Sequence, residues 1–309
     1  MMANEQTQPA FVGVDWGTSS FRAWLINGAG GVLAESRSSE GMLQCADNGF
    51  APVLAAHLAK LNAPAGLPVL ICGMAGARQG WVEAPYLKTP TALDRLHLGS
   101  VTAPFEADVR ILPGLVQADE NRPDVMRGEE TQLLGAIGHD FSGLVCIPGT
   151  HSKWVRIEAG TVKSFTTYMT GELFSVLSSH SILKHAVDRE NEASPKDSAF
   201  FAGVQKGLEN PKSLTSSLFG LRASQLLGFG ERADGIDWLS GLLIGVEIAD
   251  EAENLSKNEP LILIGSGRLA SLYAKATQHA EYQPLSLDAE AASRDGLYKA
   301  AHSLWNLDQ

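Results

Sequence analysis

The sequence predicts an α/β protein built from two copies of one unit, and three observations carry that reading. In a first meander, a strand over 12–15 turns through Trp16-Gly17-Thr18-Ser19-Ser20 into a second strand over 21–26, and a third over 32–36 follows a glycine-rich turn. In a second, a strand over 144–147 turns through Pro148-Gly149-Thr150-His151-Ser152 into a strand over 153–157, and a third over 162–166 follows. Gly17 and Gly149 stand 132 positions apart; each meander then reaches a further glycine, Gly41 and Gly171, 130 apart. One element order recurring at one period is the mark of a duplication. The third observation is a pair of continuous apolar runs, Val69-Leu70-Ile71-Cys72 and Leu261-Ile262-Leu263-Ile264, the pattern of strands buried on both faces.

The remaining elements follow in order. A helix over 50–61 places Phe50, Val53, Leu54, Leu58 and Leu61 on one face, with Pro52 tolerated in its first turn. The strand at 69–72 ends in the loop Gly73-Met74-Ala75-Gly76-Ala77-Arg78-Gln79-Gly80-Trp81, and loops at the carboxyl ends of such strands line ligand crevices. A short strand is expected at 109–112 and a helix over 129–137 with Leu133, Leu134 and Ile137 inward. After the second meander come helices over 172–183, 198–208, 214–227 and 236–253; Gly241 and Gly245 predict close approach of another backbone to the last of these. The strand at 261–264 runs into Gly265-Ser266-Gly267 and a helix over 269–277, an arrangement that seats anions and nucleotides at the helix N-terminus.

Composition narrows the class of function. A chain of 309 residues is about two domains long, and 44% hydrophobic with 19% charged residues makes a globular protein rather than a disordered one. A net charge of -11 argues against nucleic acid, which wants a basic face. Cys72 and Cys146 fall inside apolar strands, where a buried thiol is the ordinary reading, and with Cys45 they form neither a metal spacing nor a disulfide framework. The N-terminal residues are polar, without the apolar core of a signal peptide, and no apolar run approaches a membrane span. A soluble, reduced, cytoplasmic protein is expected, with no membrane partner.

The first hairpin suits the terminal phosphates of a nucleotide. Gly17 lets backbone approach a ligand, Thr18, Ser19 and Ser20 offer amides and hydroxyls, and Asp15 at the strand end can hold a hydrated Mg²⁺. With Gly149, Thr150, Ser152 and Lys153 in the second hairpin and Gly265, Ser266 and Gly267 at the adenosine end, the three-part pattern resembles the sugar kinase, heat-shock ATPase and actin superfamily. A Walker loop, with its Gly-Lys-Ser/Thr ending, is absent. The motifs then narrow the resemblance. Asp15-Trp16-Gly17-Thr18-Ser19, Gly73-Met74-Ala75-Gly76, Gly80-Trp81, Met126-Arg127-Gly128-Glu129-Glu130-Thr131-Gln132, Pro148-Gly149-Thr150-His151-Ser152-Lys153-Trp154, Met169-Thr170-Gly171-Glu172-Leu173 and Ser240-Gly241-Leu242-Leu243-Ile244-Gly245, in that order, are similar to the 2-dehydro-3-deoxygalactonokinase family over nearly the whole chain.

That resemblance implies two duplicated RNase H-like domains of the sugar kinase/actin ATPase fold, spanning 1–140 and 141–309, with a nucleotide cleft between them. It also implies phosphorylation of the C6 hydroxyl of 2-dehydro-3-deoxy-D-galactonate in D-galactonate breakdown, using ATP and Mg²⁺, with the small sugar acid as partner and a homo-oligomer left open. Phosphoryl transfer needs charge neutralisation, positioning and a group that orients the attacking hydroxyl. Asp15 is expected to hold the metal, and the Glu129-Glu130 pair to supply the base. Analogy with phosphatases of the superfamily favours Glu130; the alternative is that acidic residues here merely favour the helix start. Adjacent on a helix, the two side chains point about 100° apart, so one is expected to face ligand and the other solvent or the helix start. Gly76, Trp81, Gly171 and Glu172 are candidate sugar-acid contacts, and Arg127, Arg222 and Arg78 candidate carboxylate forks. A kinase of another sugar or sugar acid, and a non-catalytic actin-like nucleotide sensor, stay open at this level.

Overall fold

A computed structural model describes residues 8–188, 197–252 and 255–307; the polar segment 1–7 and Glu253, expected to end a helix, lie outside them. The first meander is β1 (Pro9–Trp16), β2 (Phe21–Asn27) and β3 (Val32–Ser38), followed by α1 (Met42–Asn48) and α2 (Phe50–Lys60). Next come β4 (Val69–Gly73), a 3-10 turn (Met74–Gly76), and the short strands β5 (Tyr86–Lys88), β6 (Thr91–Ala92), β7 (Val101–Thr102), β8 (Val109–Ile111), β9 (Gly114–Gln117) and β10 (Asp124–Met126). Helix α3 (Glu129–Ala136) precedes the second meander, β11 (Gly143–Ile147), β12 (Ser152–Glu158) and β13 (Thr161–Tyr168). Helices α4 (Thr170–His180), α5 (Asp197–Glu209), α6 (Leu214–Leu226) and α7 (Arg232–Ala252) follow, then β14 (Leu261–Ile264), α8 (Gly267–His279), β15 (Leu285–Leu287) and α9 (Ala289–Trp305).

Two compact units emerge, one of Met1–Ser142, Arg156–Phe165 and Leu287–Gln309, the other of Gly143–Val155 and Thr166–Ser286. The first is organised on a sheet of order β3-β2-β1-β4-β8-β7. β1 and β2 are antiparallel, with Asp15 opposite Arg22, while β1 and β4 are parallel, with Asp15 beside Cys72. Val12, Val14, Trp16, Val69 and Ile71 are fully buried against Val53 and Leu54 of α2, as the apolar runs require. On Gly13 of the central strand lies Leu297 of α9, a helix the sequence reading passed over. Its buried face is built largely of small residues, Ala292, Ser293, Gly296, Ala300 and Ala301, which give a weak apolar periodicity. Those small residues let α9 cross α3 backbone to backbone: a methyl on Gly296 would strike the Thr131 carbonyl, and one on Gly135 that of Ala292.

In the second unit β11 and β14 run parallel, Val145 beside Ile262. Helices α5 and α7 cross at glycines, Gly203 against Trp238 and Gly241 against Phe200, so the close approach expected at Gly241 and Gly245 is present. The two meanders share a detail that residue identity hardly shows. A methyl on Gly41 would lie 2.5 Å from the Ser19 backbone, and one on Gly171 2.5 Å from the Gly149 carbonyl oxygen. Each glycine thus stands in the start of a helix packed directly beneath the hairpin turn of its own unit. The Met42 and Leu43 amides donate to the carbonyls of Gly17 and Thr18, and the Glu172 amide to that of Thr150. Cys45, Cys72 and Cys146 are free, buried thiols, and among the described residues no helix is long and apolar enough to cross a membrane.

Candidate active site

In the first unit, acidic groups gather where β1, β4 and α3 end or begin. Asp15 stands at the carboxyl end of β1, its side chain 21% exposed and 3.9 Å from the Arg22 guanidinium. The Ser293 hydroxyl donates to it at 3.4 Å. Burial pushes its pKa up, Arg22 and Ser293 pull it back, and the charges of Glu129 and Glu290 add to the rise. Backbone crowding brings α3 in: a methyl on Gly73 would lie 2.6 Å from the Trp16 carbonyl oxygen and 3.6 Å from an Asp15 oxygen, and one on Gly128 3.5 Å from the Gly73 Cα.

The two glutamates differ in environment, and Glu130, favoured above as the base, is the more deeply buried of the pair. Glu130 is wholly buried, its oxygens accepting the Gly128 amide at 2.8 and 3.0 Å and the Thr131 hydroxyl at 3.2 Å. It therefore satisfies the helix start. Burial, reinforced by the Glu129 charge, pushes its pKa up to about 8. Glu129 is half-buried, takes the Arg127 amide at 3.1 Å, and projects its charge onto Asp15.

Arg127, just before this helix, lies over the Tyr86 ring, 4.4 Å from its centroid, and donates through Nη2 to the Ala84 carbonyl at 2.8 Å. Its Nε and Nη1 are buried with no hydrogen-bond partner. Gly76 makes this seat, since a methyl there would fall 2.8 Å from Nη1. A buried guanidinium with two unmatched donors is costly unless an anion completes it. Trp81, a candidate sugar-acid contact, packs parallel to Phe50 at 6.1 Å and edge-on to Trp16 and Phe105. Thr18, Ser19 and Ser20 at the hairpin tip are exposed, and Gly17 closes the turn by donating its amide to the Ser20 carbonyl at 2.8 Å.

In the second unit, Gly149 and Thr150 form the tip of the hairpin, and a methyl on Gly149 would meet nothing closer than 3.6 Å. Two residues read as phosphate donors have protein partners. Ser152 is fully buried and donates its hydroxyl to Glu247 at 2.8 Å; Lys153, 7% exposed, sets its ammonium 3.1 Å from the His151 carbonyl. Glu172 pairs with His151 at 2.5 Å across the turn, both half in solvent. Arg222 lies on α6 with its guanidinium on Gln225. Gly267 opens α8 with φ +67 and empty space around it. Beside that helix start, Thr170, Gly171, Phe174, Leu243, Ile244 and Leu269 are among the residues lining a largely apolar cavity of about 200 Å³.

The model of the 2-keto-3-deoxy-galactonokinase family matches residues 15–300, nearly the whole chain. The chain belongs to that family. A probable 2-dehydro-3-deoxygalactonokinase of Rhizobium meliloti is 49% identical over 300 residues, 96% of this chain and 98% of that one. The 2-dehydro-3-deoxygalactonokinase of Escherichia coli is 35% identical over 301 residues, 96% and 99% of the two chains. A Sinorhizobium meliloti crystal structure, provisionally given the same activity, superposes with TM-score 0.90 at 48% identity, covering 96% of this chain and 99% of its own. The fold reaches further: an activator of 2-hydroxyisocaproyl-CoA dehydratase from Clostridium difficile, solved with ADPNP, matches with TM-score 0.52 at 12% identity over 96% of this chain and 94% of its own. The architecture is that of the sugar kinase/actin-like ATPases.

Within a 2-keto-3-deoxy-galactonokinase, the acidic cluster and Arg127 form one group in the first unit, and the glycine turns with their cavity another in the second. Sequence reasoning missed Arg22, Ser293 and Glu247. Arg22 was legible in principle, since a two-strand hairpin sets it opposite Asp15. Ser293 and Glu247 were not, because each is brought to its site by a helix distant in the chain.

Proposed function

We propose that this chain transfers the γ-phosphoryl group of ATP to the C6 hydroxyl of 2-dehydro-3-deoxy-D-galactonate, as a cytoplasmic step of D-galactonate breakdown. The observation that carries the choice of a sugar acid over a neutral sugar is Arg127, whose two unmatched buried donors suit a carboxylate. Glu129, half-buried and two residues along, takes the role of orienting the hydroxyl and accepting its proton as the bond to phosphorus forms. Glu130 holds the start of the helix that presents it.

The first hairpin offers Gly17, Thr18 and Ser19 to phosphate oxygens, with Arg22 on the neighbouring strand to offset their charge. Within the second unit, Gly149 and Thr150 offer amides and a hydroxyl to phosphate, and Gly265 to Gly267, with the apolar cavity beside α8, offer a seat for a nucleoside. Asp15, 21% exposed at the end of β1, fits Mg²⁺ as an oxygen ligand, as suits a hard cation that keeps several of its waters. Bound there, the metal would neutralise charge on the phosphates. An ADP-release assay tests the reading. Turnover is expected with 2-dehydro-3-deoxygalactonate and little with glucose or glycerol; equal turnover on the neutral compounds would remove the sugar-acid assignment.

A further inference from the structure

Glu247, on α7, is 2% exposed, and its carboxylate accepts four hydrogen bonds from three other elements of the second unit. Trp154 Nε1 donates to Oε1 at 2.7 Å. Ser152 Oγ at 2.8 Å, Tyr273 Oη at 2.7 Å and the Thr170 hydroxyl all donate to Oε2. The Tyr273 hydroxyl also lies 3.2 Å from Ser152 Oγ. A carboxylate this deep is expensive to bury, and apolar packing of the same volume often serves stability as well or better. What the four bonds supply instead is geometry, because a fully satisfied buried network fixes its members in one arrangement.

The members identify what is fixed. Ser152 ends the turn that carries Gly149 and Thr150. Thr170 opens α4 beside Gly171, which is packed on the Gly149 carbonyl. Tyr273 belongs to α8, the helix that starts at Gly267. We infer that Glu247 is a positioning residue for nucleotide phosphates, holding the second hairpin at a set height against α4 and α8 without touching the ligand. The inference rests on the nucleotide-binding reading of this unit.

Calorimetric titration of the whole protein with AMP, ADP and a non-hydrolysable ATP analogue tests it, using the wild type, Glu247→Gln, Ser152→Ala and Tyr273→Phe. ADP and the analogue are expected to bind roughly 10-fold or more weakly to Glu247→Gln and Ser152→Ala, since small misplacements of binding groups have effects of that size. AMP, which lacks the terminal phosphates, should bind them as it binds wild type. A loss shared equally by AMP and ADP, or no loss in either, would overturn the inference and leave Glu247 a packing residue. Should Glu247→Gln not fold, Ser152→Ala, which removes only the donor on the hairpin, decides by the same comparison. Failure of the wild type to bind any of the three would remove the nucleotide-binding reading itself.

Discussion

Glu129 and Glu130 have one chemistry and two environments. Glu130 accepts the amide at its own helix start and is sealed from solvent, whereas Glu129 keeps access and lies within electrostatic range of Asp15. Glu129→Gln should therefore lower kcat by roughly 10²-fold with little change in KM for ATP, as when a positioned base is lost; steady-state kinetics with ATP varied at saturating sugar acid measure both. Glu130→Gln should act on stability. The Glu130 pKa in the folded protein, about 8, stands above the ordinary 4.5, so between those values the folded form keeps a proton that the unfolded chain has released. Its contribution is complete below pH 4.5, declines with rising pH, and is gone above about 8. Denaturant titrations from pH 5 to 9 should show wild-type stability falling more steeply than that of Glu130→Gln, by up to about 1.4 kcal/mol per pH unit. Parallel curves would place the proton elsewhere. At Asp15, replacement by Asn should leave the fold intact and raise the Mg²⁺ concentration needed for half-maximal rate, because a neutral amide holds the hydrated ion poorly.

The element that recurs is a hairpin seated on a helix start, with a glycine at the seam. Strand identities drift between the copies, but Gly41 and Gly171 both occupy points where a methyl would enter the hairpin backbone. Gly171→Ala is expected to push the Gly149–Thr150 turn outward, raising KM for ATP and costing about 1–3 kcal/mol of stability as overpacking does; kinetics and denaturation together measure both effects. An unchanged KM would mean that the turn tolerates displacement. Such seams explain what the sequence allowed to be read. The hairpins, the buried strands β4, β11 and β14, and the glycine turn at Gly265 to Gly267 are written in short, contiguous signals. The sheet of β5, β9 and β10 has strands of three or four residues, too short for a periodic signal, and α9 hides its inner face behind alanines and glycine. Ser152 and Lys153 read as phosphate donors from their place in a turn, yet their orientation was set by partners that a local pattern does not show.

For the whole molecule, membership of the 2-keto-3-deoxy-galactonokinase family and the acidic balance belong together with an anionic small-molecule substrate met by local cations. With a net charge of -11, long-range attraction is not expected to recruit a sugar acid, and the proposed recognition rests on a local group, the Arg127 guanidinium with its two unmatched donors. The most direct test of the account is the coupling between that guanidinium and the substrate carboxylate. Apparent kcat/KM would be measured for wild type and Arg127→Met, each with 2-dehydro-3-deoxygalactonate and with its neutral C1 amide. The account predicts that removing either charge alone lowers kcat/KM by roughly 10²-fold or more, and that removing the second adds little, the non-additivity of groups in contact. Full additivity of the two losses, or an Arg127→Met enzyme that discriminates acid from amide as well as wild type, would contradict it.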